Sequence, residues 1–159
     1  ILTLKEALEF DRNINDETDF QLTSCCCPMW IGMIRKIYHQ LMRHVPGAVS
    51  PMIACGRTIK KLHPGAVTIF VGPCIAKKAE AREKDLQGAI DYVLTFEEMQ
   101  DIFDALRIKP ESMRDRKREH SSKAGRIYAR TGGVSQAVQS TLEKLAPEKS
   151  MKIKTRQGA

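Results

Sequence analysis

The sequence has no run of the roughly 18 or more apolar residues that a membrane-spanning helix needs, and no basic start leading into an apolar segment and a cleavage site. Neither a membrane span nor a secretory leader is read in these 159 residues. Aromatic residues are scarce, at 6% with a single Trp, and acidic residues are outnumbered, 19 against 26 basic, for a net charge of +7. That balance raises nucleic acid or an acidic protein as a partner. The basic residues are dispersed, however, and the densest group, Arg114, Arg116, Lys117 and Arg118, is interleaved with Asp115 and Glu119 and lacks aromatic neighbours to stack bases. It reads as a solvated surface, so no nucleic-acid and no membrane partner is expected. An internal repeat and a low-complexity tract are also absent. There is no initiator Met, the chain running from Ile1 to a polar tail at Ala159, and we expect a segment of something longer.

Five cysteines are present, an odd number with three adjacent. Neighbouring thiols pair poorly with each other and one is always left over, which argues against a disulfide framework and for a reducing cytosol and metal binding. A hydrophobic fraction of 42% is enough for the core of one domain, and residues 1–159 are expected to form a single α/β unit.

Leu2, Leu4, Ala7, Leu8 and Phe10 recur at helical spacing and predict a first helix over residues 2–10, broken by Asn13, Asn15 and Asp16. Ile34, Ile37, Tyr38, Leu41 and Met42 predict a second helix, closed by Pro46-Gly47 and packed on a sheet. Val67 to Val71, stopped by Gly72-Pro73, reads as a buried strand, and residues 90–94 as another. Thr95-Phe96-Glu97-Glu98 has the pattern of a capping box opening a helix with Phe96, Met99, Ile102, Phe103 and Leu106 inward. Residues 107–124 read as a surface connection. Ile127-Tyr128-Ala129 suggests a third strand, leading through Gly132-Gly133 into a helix bearing Val134, Ala137, Val138, Leu142 and Leu145. Three strand-to-helix units predict a mostly parallel sheet flanked by helices. In such a sheet, sites gather at the carboxyl ends of strands, where Cys74 and Gly132-Gly133 fall.

Two segments carry chemistry. In Thr23-Ser24-Cys25-Cys26-Cys27-Pro28-Met29-Trp30, thiolates on an irregular loop suit zinc or an iron–sulfur cluster, the other reading being small buried hydrophobes. Adjacent cysteines rarely ligate one ion together, so one ligand is expected there. In Val71-Gly72-Pro73-Cys74-Ile75-Ala76-Lys77-Lys78-Ala79-Glu80, a thiol past a strand end is followed three residues later by an ammonium able to donate to an anionic ligand. Alone, Lys77 reads as a surface lysine. Glu6 and Glu9, three apart on the first helix, are either an exposed face or a buried carboxylate pair.

Together these segments resemble the first two cluster motifs of the iron-only (FeFe) hydrogenase catalytic domain, in the same order and with a fitting gap. The likeness continues through Asp91-Tyr92-Val93-Leu94-Thr95 and Gly125 to Gly133-Val134. The resemblance implies a partial catalytic domain, without the family's preceding segment and without its third, glycine-rich Cys-x-x-x-Cys motif. It implies Cys27 and Cys74 as ligands of the 4Fe–4S cubane of the H-cluster, Cys26 as the terminal proton donor to the diiron half, and Lys77 as the partner of a cyanide ligand. Glu9 and Glu6 fall at the acidic residues of the proton channel, and Ser50-Pro51 at a segment lining the cluster. Cys25 and Cys55 receive no role. Cys25 makes a triple of the usual double cysteine, Gly72 stands where a methionine packs on the diiron unit, and Pro46 stands at the serine of the usual proton relay.

The implied parent is a cytoplasmic enzyme of an anaerobe that reduces protons reversibly to hydrogen, with an electron carrier such as ferredoxin and with maturation proteins as partners. The departures fit a slow or sensory member, and the family also holds non-catalytic iron–sulfur assembly proteins. Two thiolates cannot complete a four-thiolate site, so the fragment alone is expected to be inactive and metal-free, and surfaces left by missing segments are expected to favour a homodimer.

Overall fold

The computed structural model describes residues 2–15, 19–22, 26–115, 122–128 and 130–150. In chain order the helices are α1 (Leu2–Asn13), α2 (Pro28–Lys36), α3 (Pro51–Leu62), α4 (Ala76–Arg82), α5 (Phe96–Ala105), α6 (Lys123–Ile127), α7 (Gly133–Leu145) and α8 (Pro147–Ser150). Strands β1 (Ile69–Val71) and β2 (Tyr92–Leu94) and two 3₁₀ turns, His39–His44 and Pro110–Ser112, complete the described elements. The chain divides into two compact units, residues 1–49 with 120–159, and residues 50–119.

In the first unit α1 packs on α7, burying Ala7, Val138, Leu142 and Ala146 with Phe10 against them. The stripe predicted for α1 is narrower than expected, since Leu4 and Leu8 are exposed. The α7 stripe holds for Ala137, Val138 and Leu142, while Leu145 is exposed. Gly132 starts α7 from a left-handed conformation, φ 70°, which glycine adopts without a Cβ penalty. Gly133 is needed for close approach, because a Cβ there would lie 1.8 Å from the carbonyl oxygen of Ile127.

Two expectations are corrected in this unit. The strand foreseen at Ile127-Tyr128-Ala129 is not formed where it is described: Ile127 ends α6, which is nucleated by Ser122 accepting from the Gly125 N–H at 3.1 Å, and Tyr128 lies in the turn that follows. Ala129 lies outside the described residues. The helix foreseen through Met42 stops at Lys36, where Ile37 (φ −110°) and Tyr38 (φ −118°, ψ 43°) give way to the 3₁₀ turn. Both side chains are exposed. A β-branched and an aromatic residue have weak helix propensity, and side chains this exposed gain little from packing to offset it.

In the second unit β1 and β2 pair in parallel, Ile69 opposite Tyr92 and Val71 opposite Leu94, connected through α4, so the fold class is α/β. Helices α4 and α5 pack against β2. The expected fully buried strand is instead an alternating one: Phe70 is half-buried, whereas Ile69 and Val71 are exposed, as suits a pair covered on one face. Phe96 and Ile102 of α5, and Leu106 at its C-cap, are likewise exposed, leaving Met99 and Phe103 as the partly buried apolar residues of α5. The foreseen capping box is present, with Thr95 Oγ1 accepting from the Glu98 N–H at 3.1 Å and Glu98 Oε2 accepting from the Thr95 N–H at 2.8 Å.

At the opposite end of the strands, Asp91 accepts from Lys60 Nζ at 2.7 and 2.8 Å and from the Thr68 N–H at 2.7 Å. These bonds hold its carboxyl down to about 2, with Lys60 the largest cause. Among the described residues no helix is long and apolar enough to cross a membrane.

Candidate functional site

The first unit holds the acidic pair and two of the adjacent cysteines. Glu6 has a relative exposure of 0%, so at this position the exposed-face reading is excluded. Glu9 is partly buried, with Oε2 accepting from the Gly47 N–H at 2.9 Å and Oε1 lying 3.7 Å from Lys5 Nζ. Lys5 also donates to the Gly47 carbonyl. The main chain at Gly47 thus both donates to and accepts from the Lys5–Glu9 pair. Cys26 and Cys27 are half-buried. Cys27 is the N-cap residue of α2, extended at φ −100°, ψ 109°, and Pro28 supplies the fixed φ that opens the helix. Thr23, Ser24 and Cys25 lie outside the described residues.

Around Glu9 lies a polar cavity of about 540 Å³, lined also by Arg12, Asp19, Phe20, Arg43 and His44. Phe20 and His44 stack with ring centroids 3.9 Å apart. Arg43 Nε donates to His44 Nε2 at 3.0 Å, and arginine is always a donor. His44 therefore carries its proton on Nδ1 and donates to the Phe20 carbonyl at 2.9 Å. Leu22 N–H reaches the His44 carbonyl at 2.8 Å, so residues 20–22 are tied to the 3₁₀ turn twice.

The second unit holds the other motif. Ser50, almost fully buried, caps α3 by accepting from the Ile53 N–H at 3.4 Å, and Pro51 is its first residue. Past β1, the Gly72 N–H extends the ladder to Leu94 O at 3.0 Å, and Cys74 O accepts from the Lys77 N–H at 3.2 Å. Cys74 is an exposed thiol. Gly72 is buried, and a Cβ there would meet the Phe70 ring at 2.7 Å. Lys77 Nζ donates to Glu80 Oε2 at 2.6 Å, with both side chains largely buried. Lys78 Nζ reaches both carboxylate oxygens of Glu98 at 2.8 Å and the Val93 carbonyl at 3.0 Å, which lowers the Glu98 pKa.

Cys26, Cys27, Glu6 and Glu9 therefore share the first unit, and Cys74, Lys77, Ser50 and Pro51 the second. The sequence did not single out the Phe20–His44–Arg43 cluster or the cavity, whose partners are 24 residues or one residue apart with no motif. For Glu80 a signal existed in its three-residue spacing from Lys77 on one helix.

The family model for the iron only hydrogenase large subunit, C-terminal domain, matches residues 1–158. The chain belongs to this family. As a member of the iron-only hydrogenase family it is 29% identical over 150 residues to iron hydrogenase 1 of Clostridium pasteurianum, covering 84% of this chain and 26% of that protein. It is 29% identical over 151 residues to the periplasmic iron hydrogenase large subunit of Nitratidesulfovibrio vulgaris, covering 84% of this chain and 36% of the relative. The chain thus spans between a quarter and two fifths of these relatives. Among solved structures it resembles an FeFe-hydrogenase studied for stepwise H-cluster assembly, with a TM-score of 0.70 and 25% identity over 91% of this chain and 40% of that one. A variant FeFe-hydrogenase from Chlamydomonas reinhardtii matches with a TM-score of 0.68 and 27% identity, over 91% and 41% of the two chains.

Cys27, at the N-cap of α2, and Cys74, between β1 and α4, are thiols outside any disulfide, a donor type that suits thiolate-bound iron. Among the described residues no three His, Cys, Asp or Glu side chains gather as a set able to hold a metal ion.

Proposed function

We propose that the chain is part of an iron-only hydrogenase that reduces protons reversibly to molecular hydrogen, 2H⁺ + 2e⁻ giving H₂, at an H-cluster. The observation that carries this reading is the co-occurrence, in a family member, of the Cys27 and Cys74 thiols with a largely buried Lys77 ammonium. An assembly scaffold that only holds a cubane has no use for such a cation. The H-cluster, a 4Fe–4S cubane with a diiron site, supplies the redox chemistry when bound.

In this reading Cys27 and Cys74 would be two of the cubane's thiolate ligands, and Ser50-Pro51, which opens α3, would belong to the segment lining the cluster. Lys77 donates hydrogen bonds to an anionic ligand of the diiron site. Cys26 hands on the last proton, and Glu6 and Glu9 feed it. A buried carboxylate such as Glu6 suits proton transfer because burial and neighbours set its affinity for the proton. Glu9 lines the polar cavity and so faces the source of protons. Electrons come from a carrier such as ferredoxin, and cluster insertion from maturation proteins. We place the protein in the cytoplasm, where thiols stay reduced. A hydrogen-sensing role is the second reading, supported by Pro46, which has no hydroxyl to relay a proton and is buried beside Glu9's partner Gly47.

The test is an infrared spectrum of the full-length protein, purified without oxygen after co-expression with hydrogenase maturation proteins. Carbonyl and cyanide stretches that vanish in Cys74→Ala are the expected result. Bound iron and sulfide without those stretches would move the protein to the iron–sulfur assembly class. Stretches accompanied by slow turnover would favour the sensor.

A further inference from the structure

Two ion pairs brace the parallel strand pair, one at each end. Before the strands, Lys60 Nζ lies 2.7 Å from Asp91 Oδ2, and Thr68 shares the same carboxylate. At the other end, where the chain passes through Cys74 into α4, Lys78 Nζ donates to Oε1 and Oε2 of Glu98 at 2.8 Å each and to the Val93 carbonyl at 3.0 Å. An ammonium has three N–H donors, and these three acceptors occupy all of them. Lys78 is therefore equipped to hold neighbouring elements together and has no donor left for a ligand.

The acceptors are themselves fixed. Val93 is the middle residue of β2. Glu98 is the third residue of α5, and its carboxylate and N–H are both tied to Thr95 in the capping box, at 2.8 and 3.1 Å. Helix α4 has less support of its own. It is seven residues long, among the described residues no side chain caps its start, and a helix so short is marginal without tertiary contacts. Its entry is a pair of tight turns, the Lys77 N–H bonding to the Cys74 carbonyl at 3.2 Å and the Lys78 N–H to the Ile75 carbonyl at 3.0 Å. Residues 74–78 thus form one piece, and Lys78 anchors that piece to β2 and α5. With side-chain exposures of 33% and 44% for Lys78 and Glu98, the pair adds little to global stability. Its main consequence is where the segment stands.

We propose that Lys78 is a positioning residue for Cys74: it docks the entry of α4 onto β2 and α5, and so sets where the thiol stands relative to the strand pair. This inference rests on the proposed function, in which Cys74 is a ligand of the cubane. A short helix released from such an anchor can pivot without unfolding the unit, so the consequence is a displaced thiolate. The Lys60–Asp91 pair provides an internal comparison. It joins the same kinds of group at a similar distance on the same strand pair, at the end away from Cys74.

The experiment compares the full-length protein as wild type, Lys78→Met, Lys78→Arg and Lys60→Met by two measurements. One is the cubane's electron paramagnetic resonance signal after maturation as above. The other is amide hydrogen exchange at residues 74–78 in the cluster-free protein. A shifted resonance and faster exchange at the Lys77 and Lys78 amides are expected in Lys78→Met, which keeps the apolar stem and loses the ammonium. Both should return towards wild type in Lys78→Arg, whose guanidinium can again pair with a carboxylate, and both should be unchanged in Lys60→Met. If either measurement is unmoved in Lys78→Met, the proposal is overturned and the hydrogenase reading stands. An equal change in Lys60→Met would also overturn it, because general loosening of the strand pair would then be the cause. If Lys78→Met does not accumulate, Glu98→Gln, which keeps a capping-box residue at that position, is read the same way. A matured wild type without the cubane signal would overturn the proposed function itself.

Discussion

Gly72 occupies the position at which the family resemblance leads one to expect methionine, and its surroundings explain why this chain does without that side chain. A Cβ on Gly72 would lie 2.7 Å from Cε1 and 2.9 Å from Cζ of Phe70, so the ring of a strand residue fills the space a larger residue would take. Gly72→Met should therefore destabilise the second unit by about 1–3 kcal/mol, the usual cost of overpacking. In Phe70→Ala/Gly72→Met the loss should fall well short of the sum of the single losses, as measured by urea unfolding. Additive losses would mean that the two sites do not share this space. Asp91 offers a second measurable consequence. Its carboxyl is held from an ordinary 3.8 down to about 2 by Lys60 and Thr68, so between those values the unfolded chain binds more protons than the folded one. The stability it contributes is complete above about pH 4 and is lost as pH falls through about 2. Glu98, also lowered, by Lys78, acts in the same direction below its ordinary 4.5. Acid unfolding of Asp91→Asn, followed by circular dichroism, should show a weaker pH dependence of stability over that range than the wild type.

Helix α5 shows how far local signals carry. Its start was legible because a capping box is a four-residue pattern whose two hydrogen bonds need nothing outside it, and Thr95→Ala should destabilise α5 by about 1 kcal/mol, read as faster amide hydrogen exchange in its first turn. Its inward face was not legible, since the periodicity that placed Phe96, Ile102 and Leu106 inside could not report that these residues are exposed. The same holds for β1, whose apolar run foretold a strand but not the open face that Ile69 and Val71 occupy. The strand expected at Ile127 failed because three apolar residues form too short a run to outweigh the Ser122 cap, which closes a helical turn locally. In the candidate site, the thiols, Lys77 and the acidic pair were legible from motifs. Their partners divide according to distance along the chain. Glu80 lies within one helical turn and could have been read from its spacing. The contacts of Gly47 with Glu9, 38 residues apart, and of His44 with Phe20, 24 residues apart, arise only from tertiary packing.

The described residues form one buried apolar cluster, in the first unit, in a chain that spans between a quarter and two fifths of its curated relatives. Ile69, Val71 and Tyr92 are exposed neighbours along one parallel pair, with 57% and 61% of Ile69 and Tyr92 accessible. An apolar strip of this kind on a solvated protein marks a surface that associates, and expressed by itself the 159-residue chain should dimerise with increasing concentration in analytical ultracentrifugation, less so as Tyr92→Lys. Iron binding follows a different constraint. In the function proposed above, Cys27 and Cys74 supply two thiolates where a cubane takes four, and among the described residues no set of three or more possible ligands gathers. Anaerobic reconstitution of the 159-residue chain with iron and sulfide should consequently leave fewer than about four irons per chain after desalting, without the cubane's resonance signal. If a stable four-iron cluster survived, Cys25, Cys26 or Cys55 would have to complete the donor set. The three single alanine variants would identify which, and the role proposed for Cys26 as a proton donor would stand only if its own substitution left that cluster in place.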